Sequence, residues 1–330
     1  MRSNWKNLTP KDVLRILPEY ACIGVLLLMM LIGLTRAETF YSRVNLMNIM
    51  KQGAVLTILG IGMGFVLISG CIDLTVGINM AISALISVCF VERFGQVGAV
   101  MAAILVSVSI SCINMGIVYI TKARAMEIMM LTFSLKMVYR GLAQAFSGNK
   151  AFRTTACADW FVRLSKGTIL GLPNLMWFML AIAVVLGIVL SKTRFGRQVT
   201  LVGINPEASR LAGISVQKTR FLCFIISGFC AAVAGILLAS RTGTIKALSG
   251  DNYEMDAVSG LVIGGYSMAG GFGSTWRCVV GVYAYTVIKN LMDLVGMDSY
   301  TQTIVQGLVL VLAVWLDVYL RVKRAGGKSK

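Results

Sequence analysis

The sequence predicts an all-α membrane protein of about ten transmembrane helices, and three observations carry that prediction. Apolar residues make up 57% of the 330 positions and charged residues 14%, with a mean hydropathy of +0.79. That balance lies well outside the range of soluble domains. The apolar residues gather in long runs with short polar connections, and a crossing of a bilayer core about 30 Å thick needs roughly 20 of them. Most of the Lys and Arg sit between the runs.

The runs fall at 17–35, 46–69, 74–91, 97–121 and 125–146, then at 172–191, 219–240, 255–268, 276–295 and 301–320. Positions 1–17 are polar and basic, and the first run is long enough to span, so it reads as a helix that targets itself, not as a removable signal peptide. Arg2, Lys6, Lys11 and Arg15 precede it, Lys192, Arg194 and Arg197 follow the sixth run, and Arg321, Lys323 and Arg324 follow the last. Basic residues flanking spans mark the cytoplasmic side, which places both termini there. Two halves of five helices then have opposite topologies, as in transporters built from inverted repeats. An acid at a helix start in each half, Asp73 and Asp256, is a faint echo of such a repeat. The chain reads as one transmembrane domain over 1–330, with 192–218 as a cytoplasmic loop within it.

A net charge of +17 invites nucleic acid as a partner, but that needs Lys and Arg gathered on one exposed face. Here they are loop charges beside membrane lipid, and no nucleic acid is expected. Eight cysteines fall mostly inside apolar runs, with no CxxC pair and no histidine to complete a metal site. They read as small buried hydrophobes, and the nineteen methionines as packing filler. Gly60 and Gly64, Gly260 and Gly264, and Ala231 and Gly235 recur at four-residue spacing, which lets helix backbones approach closely in lipid.

The most informative stretch runs from Thr193 to Val216. Asn205 is a good N-cap, Pro206 suits the first helical position, Glu207 complements the positive end of the dipole, and Gly213 ends the helix in a left-handed conformation. The product is a helix of about seven residues, close to 10 Å long, with Ala208, Leu211 and Ala212 on one face. From the residues alone it is either a tidy connection between spans or a docking element.

With Thr193, Phe195, Gly196, Arg197, Gly203, Asn205, Ala208, Gly213, Ile214 and Val216 in these positions, the stretch resembles the cytoplasmic coupling loop of the ribose-type permeases of ABC importers. Ser209 stands where that family has a second alanine. Residues 69–77, SGCIDLTVG, are similar to the family's GGIDLSVG, with Cys71 in place of a glycine. Residues 253–257 and 264–273, YEMDA and GGYSMAGGFG, are similar to its YELDAI and GGTSLxGGxG segments. The fifth run departs from the pattern: Arg124 to Phe133 has no proline and no TLG turn, so solute contacts on that helix cannot be carried over, although Arg140-Gly141-Leu142-Ala143 matches.

The resemblance implies a type II ABC importer-like fold and a homodimer, or a pair with a close paralogue, around the solute path. It also implies an ABC ATPase subunit and an extracytoplasmic solute-binding protein in a bacterial inner membrane. Coupling to the ATPase would involve Arg197, Asn205, Pro206, Glu207, Ala208, Leu211 and Gly213. The second and eighth helices are expected to line the path, with Leu67, Ser69, Asp73, Ser259 and Val262 as candidates. The implied cargo is a small neutral sugar or related polyol.

Asp73 and Asp256, each at a helix start, are better explained by capping than by solute contact. Lys136 and Arg140 are four apart and share a face that should avoid lipid. The glycine-rich 264–273 lacks a phosphate-loop lysine, and Gly327-Lys328-Ser329 lacks the glycine five residues earlier, where Val322 stands. No cofactor is expected, ATP being bound by the partner subunit. Two rivals remain. An ion-coupled secondary sugar transporter needs an acid relay, for which Glu127 is the candidate, and an intramembrane enzyme needs a catalytic constellation such as HExxH, of which there is none.

Overall fold

The computed structural model describes residues 39–326; the expected first span at 17–35 and the Gly327-Lys328-Ser329 decoy lie outside them. The helices in chain order are α1 (Arg43–Ile68), α2 (Val76–Cys89), α3 (Val91–Thr121), α4 (Ala125–Ser147), α5 (Asp159–Lys166) and α6 (Asn174–Lys192). They continue with α7 (Arg194–Ile204), α8 (Pro206–Leu211), α9 (Val216–Thr242), α10 (Tyr253–Ile263), α11 (Thr275–Leu294) and α12 (Ser299–Gly326). Four two-residue strands decorate one end of the bundle. β1 (Phe152–Arg153) pairs antiparallel with β4 (Thr244–Ile245), and β2 (Thr168–Ile169) with β3 (Leu172–Pro173).

The centre of the bundle is α1. It is apolar on all sides, as a fully enclosed helix must be, and every residue from 53 to 68 is buried. Around it pack α9, α11, α6 and α10, while α2 and α3 lie against the far side of α9. The outer helices show the opposite pattern: α6 exposes Val184, Val185 and Ile188, and α3 exposes Met101, Leu105 and Ile113. Apolar side chains turned outward along whole helices form a surface made for lipid.

Among the described residues, four helices, α1, α3, α6 and α9, are long and apolar enough to cross a membrane. Two of the expected spans are shorter than predicted. At 14 residues α2 is about 21 Å long, and at 11 residues α10 is about 16 Å, short of a bilayer core. The expected helix at 255–268 ends at Ile263 because Gly264 and Gly265 turn the chain, Gly265 with φ +81°. The connection at 147–173 carries the β1 strand, a 3-10 turn, α5 and the β2–β3 hairpin. It is fastened to the end of α9, where the Ser165 hydroxyl donates to the Ser240 carbonyl and the Ser240 hydroxyl to that of Phe161, both at 2.7 Å.

Polar side chains inside the bundle bond from helix to helix, which lipid cannot compete for. Asn45 on α1 and Asn290 on α11 exchange reciprocal amide bonds of 2.9 and 2.8 Å. Ser83 on α2 donates to the Ala232 carbonyl of α9, and Ser107 on α3 to that of Gly228. At the head of α12, the Thr301 hydroxyl and amide both donate to Asp298 and hold its carboxyl below the usual carboxylate range.

The four-residue glycine spacing is used for close crossings. Where α9 meets α2, a β-carbon on Gly235 would overlap the Met80 carbonyl oxygen and lie 3.0 Å from the Ala84 nitrogen. Those neighbours are helix backbone and cannot move aside. We therefore expect Gly235→Val to destabilise the purified protein by about 1–3 kcal/mol, read as a lower thermal unfolding midpoint in detergent.

Candidate functional site

Two helices begin inside the bundle, and their first turns meet. α1 ends at Ile68 and the chain reaches the start of α2 through residues 69–75; α9 ends at Thr242 and reaches the start of α10 through 243–252. Gly77, in the first turn of α2, lies so close to the α10 approach that a β-carbon there would sit 2.7 Å from the Gly250 carbonyl oxygen and overlap Glu254 Oε2. The amides of a first helical turn have no partner within the helix and carry a partial positive charge. The Glu254 carboxylate, which is fully buried, lies beside that turn, and its Oε2 makes no hydrogen bond.

Its other oxygen pairs with Lys136 Nζ. Lys136 stands eleven residues from either end of α4, about 16 Å from each, in the middle of the helix. From there a ladder of charge leads outward: Lys136 to Asp251 at 4.0 Å, then Asp251 to Arg140 at 3.2 Å. Side-chain exposure rises along it, from 0% at Glu254 and 10% at Lys136 to 29% at Asp251 and 33% at Arg140.

A second polar chain ends at the same helix start. Asp73 accepts from the Thr75 amide at 2.9 Å and its hydroxyl at 2.6 Å, Thr75 accepts from Asn114, and Asn114 from the Tyr139 hydroxyl of α4. Asp73 thus organises Thr75, the residue that heads α2, although it bonds none of the first-turn amides, the expected partners of a cap. Asp256 does not act as a cap. It lies in the first turn of α10 with its own amide bonded to the Asn252 carbonyl, and its carboxylate crosses to α11, accepting from Tyr285 at 2.5 Å and pairing with Lys289 at 2.7 Å.

On one face of the bundle, α7 and α8 form a corner. Thr193 caps α7 through the Gly196 amide, Phe195 stacks on Phe65 of α1 with centroids 6.3 Å apart, and Val199 and Val202 are buried. Beyond them the backbone of Gly203 lies against the Ile68 carbonyl, which itself accepts from Gly271 at 2.7 Å. A β-carbon on Gly270 would fall 2.6 Å from the Gly70 Cα. Three chain segments, the ends of α1 and α7 and the glycine-rich turn after α10, therefore cross backbone to backbone. The glycines of 264–273 serve this crossing.

α8 projects from that crossing. The Asn205 side chain caps it through the Ala208 amide at 3.0 Å, Pro206 occupies its first position, and Glu207 pairs with Arg210 on the surface. At its end Gly213 has φ +81°, its amide donates to the Arg210 carbonyl and that of Ile214 to Ser209. Those two bonds complete a Schellman motif. Ala208, Leu211 and Ala212 face outward, Leu211 at 81% exposure, and Arg197 is also exposed.

The path candidates Leu67, Ser69 and Asp73 lie at the end of α1 and just beyond it, and Ser259 and Val262 lie on α10; all five are buried within the single chain. The two helices pack on each other, although no hydrogen bond joins these residues. Sequence reasoning missed Glu254, Asp251 and Lys289 as ionic partners. Lys289 carried a usable sign, since a lysine inside an apolar run demands an acid nearby. Glu127, the candidate for an acid relay, is spent on a helix cap: its Oε2 accepts from the Arg124 amide at 2.7 Å on the exposed surface.

Helices that stop inside a lipid-facing bundle, with charges held at their starts, are the means by which membrane transporters house a solute path. By class the protein is a multi-pass membrane permease. The chain belongs to the family described as branched-chain amino acid transport system / permease component, whose model matches residues 45–314. It is 30% identical over 312 residues to the ribose import permease protein RbsC of Haemophilus influenzae, covering 94% of this chain and 95% of that protein. The probable ABC transporter permease protein YphD of Escherichia coli is 30% identical over 327 residues, 96% of this chain and 94% of its own. The L-arabinose transport system permease protein AraH of Escherichia coli is 35% identical over 195 residues, 57% of each chain. No solved structure matches the chain. The likeness to ribose-type ABC permeases read from the motifs thus extends over nearly the whole sequence.

Breaking the buried pair from one side leaves an uncompensated charge. We expect Lys136→Met to cost about 3–5 kcal/mol, and Lys136→Met with Glu254→Gln to recover most of it, as read in a double-mutant cycle of unfolding midpoints.

Proposed function

We propose that this chain is half of the membrane channel of an ABC importer, carrying a small neutral sugar or related polyol. Two copies, or one copy and a close paralogue, would face each other around the path. ATP is bound and hydrolysed by a separate subunit, and an extracytoplasmic solute-binding protein delivers the cargo. The permease itself performs no chemistry and needs no cofactor. In this arrangement it lies in the bacterial inner membrane with both termini and the loop 192–218 in the cytoplasm, within a single domain.

The observation that carries the proposal is the backbone crossing at Gly203, Ile68 and Gly270. A force applied to α8 reaches the ends of α1 and α10 without passing through a flexible loop, because the crossing has no side chains to yield. Alternating access needs such a link: each state of the ATPase must favour one facing of the path helices. Asn205, Pro206, Glu207, Ala208, Leu211 and Gly213 shape and present the docking element, and Arg197 flanks it. The ends of α1 and α10, with Leu67, Ser69, Asp73, Ser259 and Val262, are what that element moves. The pairing of α1 and α2 across one break, and of α9 and α10 across another, with abutting starts, supports two inverted halves. The relatives named for ribose and L-arabinose support a pentose-sized cargo.

Two experiments test this reading. Gly213 has no neighbour within 4 Å, so backbone conformation is all a substitution there disturbs. Gly213→Val, in the assembled importer in proteoliposomes, should lower sugar import about tenfold or more, whereas Gly213→Asn, which tolerates the left-handed region, retains most of it. Equal import by both variants would rule out a set geometry at that residue as part of coupling. Thiols placed at Ser69 and Ser259, buried here, should become reactive only while the ATPase turns over. Import driven by an ion gradient without any ATPase would instead favour a secondary transporter.

A further inference from the structure

We infer that Arg140 and Asp251 form a solute-contacting pair that reads neighbouring hydroxyls of a neutral polyol, with Lys136 and Glu254 as the positioning residues behind them. This rests on the permease reading and adds to it the groups that select the cargo.

Charged side chains halfway along a lipid-facing helix turn towards protein or water, never towards acyl chains. Lys136 and Glu254 satisfy that rule by burial. Asp251 and Arg140 do not, because each keeps about a third of its side chain open. The ladder therefore leads from a closed interior at Lys136 to a wet side one turn further along α4 at Arg140, about 10 Å from the helix end, and a wet side that deep in a permease is the solute path.

The pair also has bonding capacity to spare. Arg140 uses Nη1 for both oxygens of Asp251, at 3.3 and 3.2 Å, out of the five N–H donors of a guanidinium. Asp251 retains acceptor sites beyond those shared with Arg140 and Lys136. A donor and an acceptor side by side match a vicinal diol, in which one hydroxyl donates to the carboxylate and the next accepts from the guanidinium. Behind them, Glu254 Oε2 is a fully buried acceptor without a hydrogen-bond partner. The four charges sum to zero, so a neutral solute leaves the site balanced, while a sugar acid or sugar phosphate would bring a charge that nothing offsets.

The test uses the complete importer in proteoliposomes, with Cys157 changed to Ser, and D-ribose as the probe. Asp251→Cys should react with a methanethiosulfonate reagent, and millimolar D-ribose should slow that reaction. A reaction rate indifferent to D-ribose, in an importer whose unsubstituted form carries D-ribose, overturns the inference. Should Asp251→Cys fail to assemble, the near-isosteric Asp251→Asn takes its place. Its preference for D-ribose over 2-deoxy-D-ribose should shrink about tenfold, because a site built to bond a hydroxyl is what rejects the analogue lacking it. An unchanged preference overturns the inference equally. If the unsubstituted importer carries no small neutral sugar or polyol, it is the permease reading that fails.

Discussion

A carboxylate buried inside a bilayer must be paired, and the polar interior of this protein is organised around one such pair. The starts of α2 and α10 face each other, and Glu254 sets one carboxylate oxygen beside the first turn of α2 while Lys136 holds the other. In an apolar medium an isolated carboxylate is prohibitively costly. The pair with Lys136 offsets that cost, and the positive end of the α2 dipole favours the same charge. A single ion pair thus keeps a charge where two helices begin, in a bundle otherwise fit only for lipid.

The same economy appears at the opposite end of the path helices. α1, α7 and the turn after α10 meet through glycines, so their relative positions are fixed by backbone volume and by the bond from Gly271 to Ile68. Stiffness of this kind is cheap to encode and hard to mutate around. It places the one exposed, capped helix of that face in direct mechanical register with the elements that enclose the polar interior. The Asn45–Asn290 amide pair ties the other end of α1 to α11, so the central helix is held at both extremities and smooth between them.

Much of this was legible in the sequence, for physical reasons that differ from part to part. The caps of α8 were readable because Asn205, Pro206 and Gly213 each act within a few residues of themselves. The long apolar spans were readable because lipid imposes a length. The ionic partners were not: Lys136 and Glu254 are 118 residues apart, and nothing local in either stretch names the other. Asp256 misled for a related reason, since a cap and a cross-helix acceptor look alike until the facing helix, with Tyr285 and Lys289, is known. The length of α10 was overestimated because apolar residues continue past Gly264 while the backbone does not.

The asymmetry of α8's two attachments has an outcome for how this chain tolerates change. Upstream, a β-carbon on Gly203 would overlap the Ile68 carbonyl oxygen; downstream, one on Gly213 would meet nothing within 4 Å. Added bulk upstream would push the docking face off the bundle, whereas bulk at Gly213 is limited only by the left-handed backbone that the bond from Ile214 to Ser209 needs. Side-chain size is therefore policed on the N-terminal side of α8, and backbone handedness on its C-terminal side.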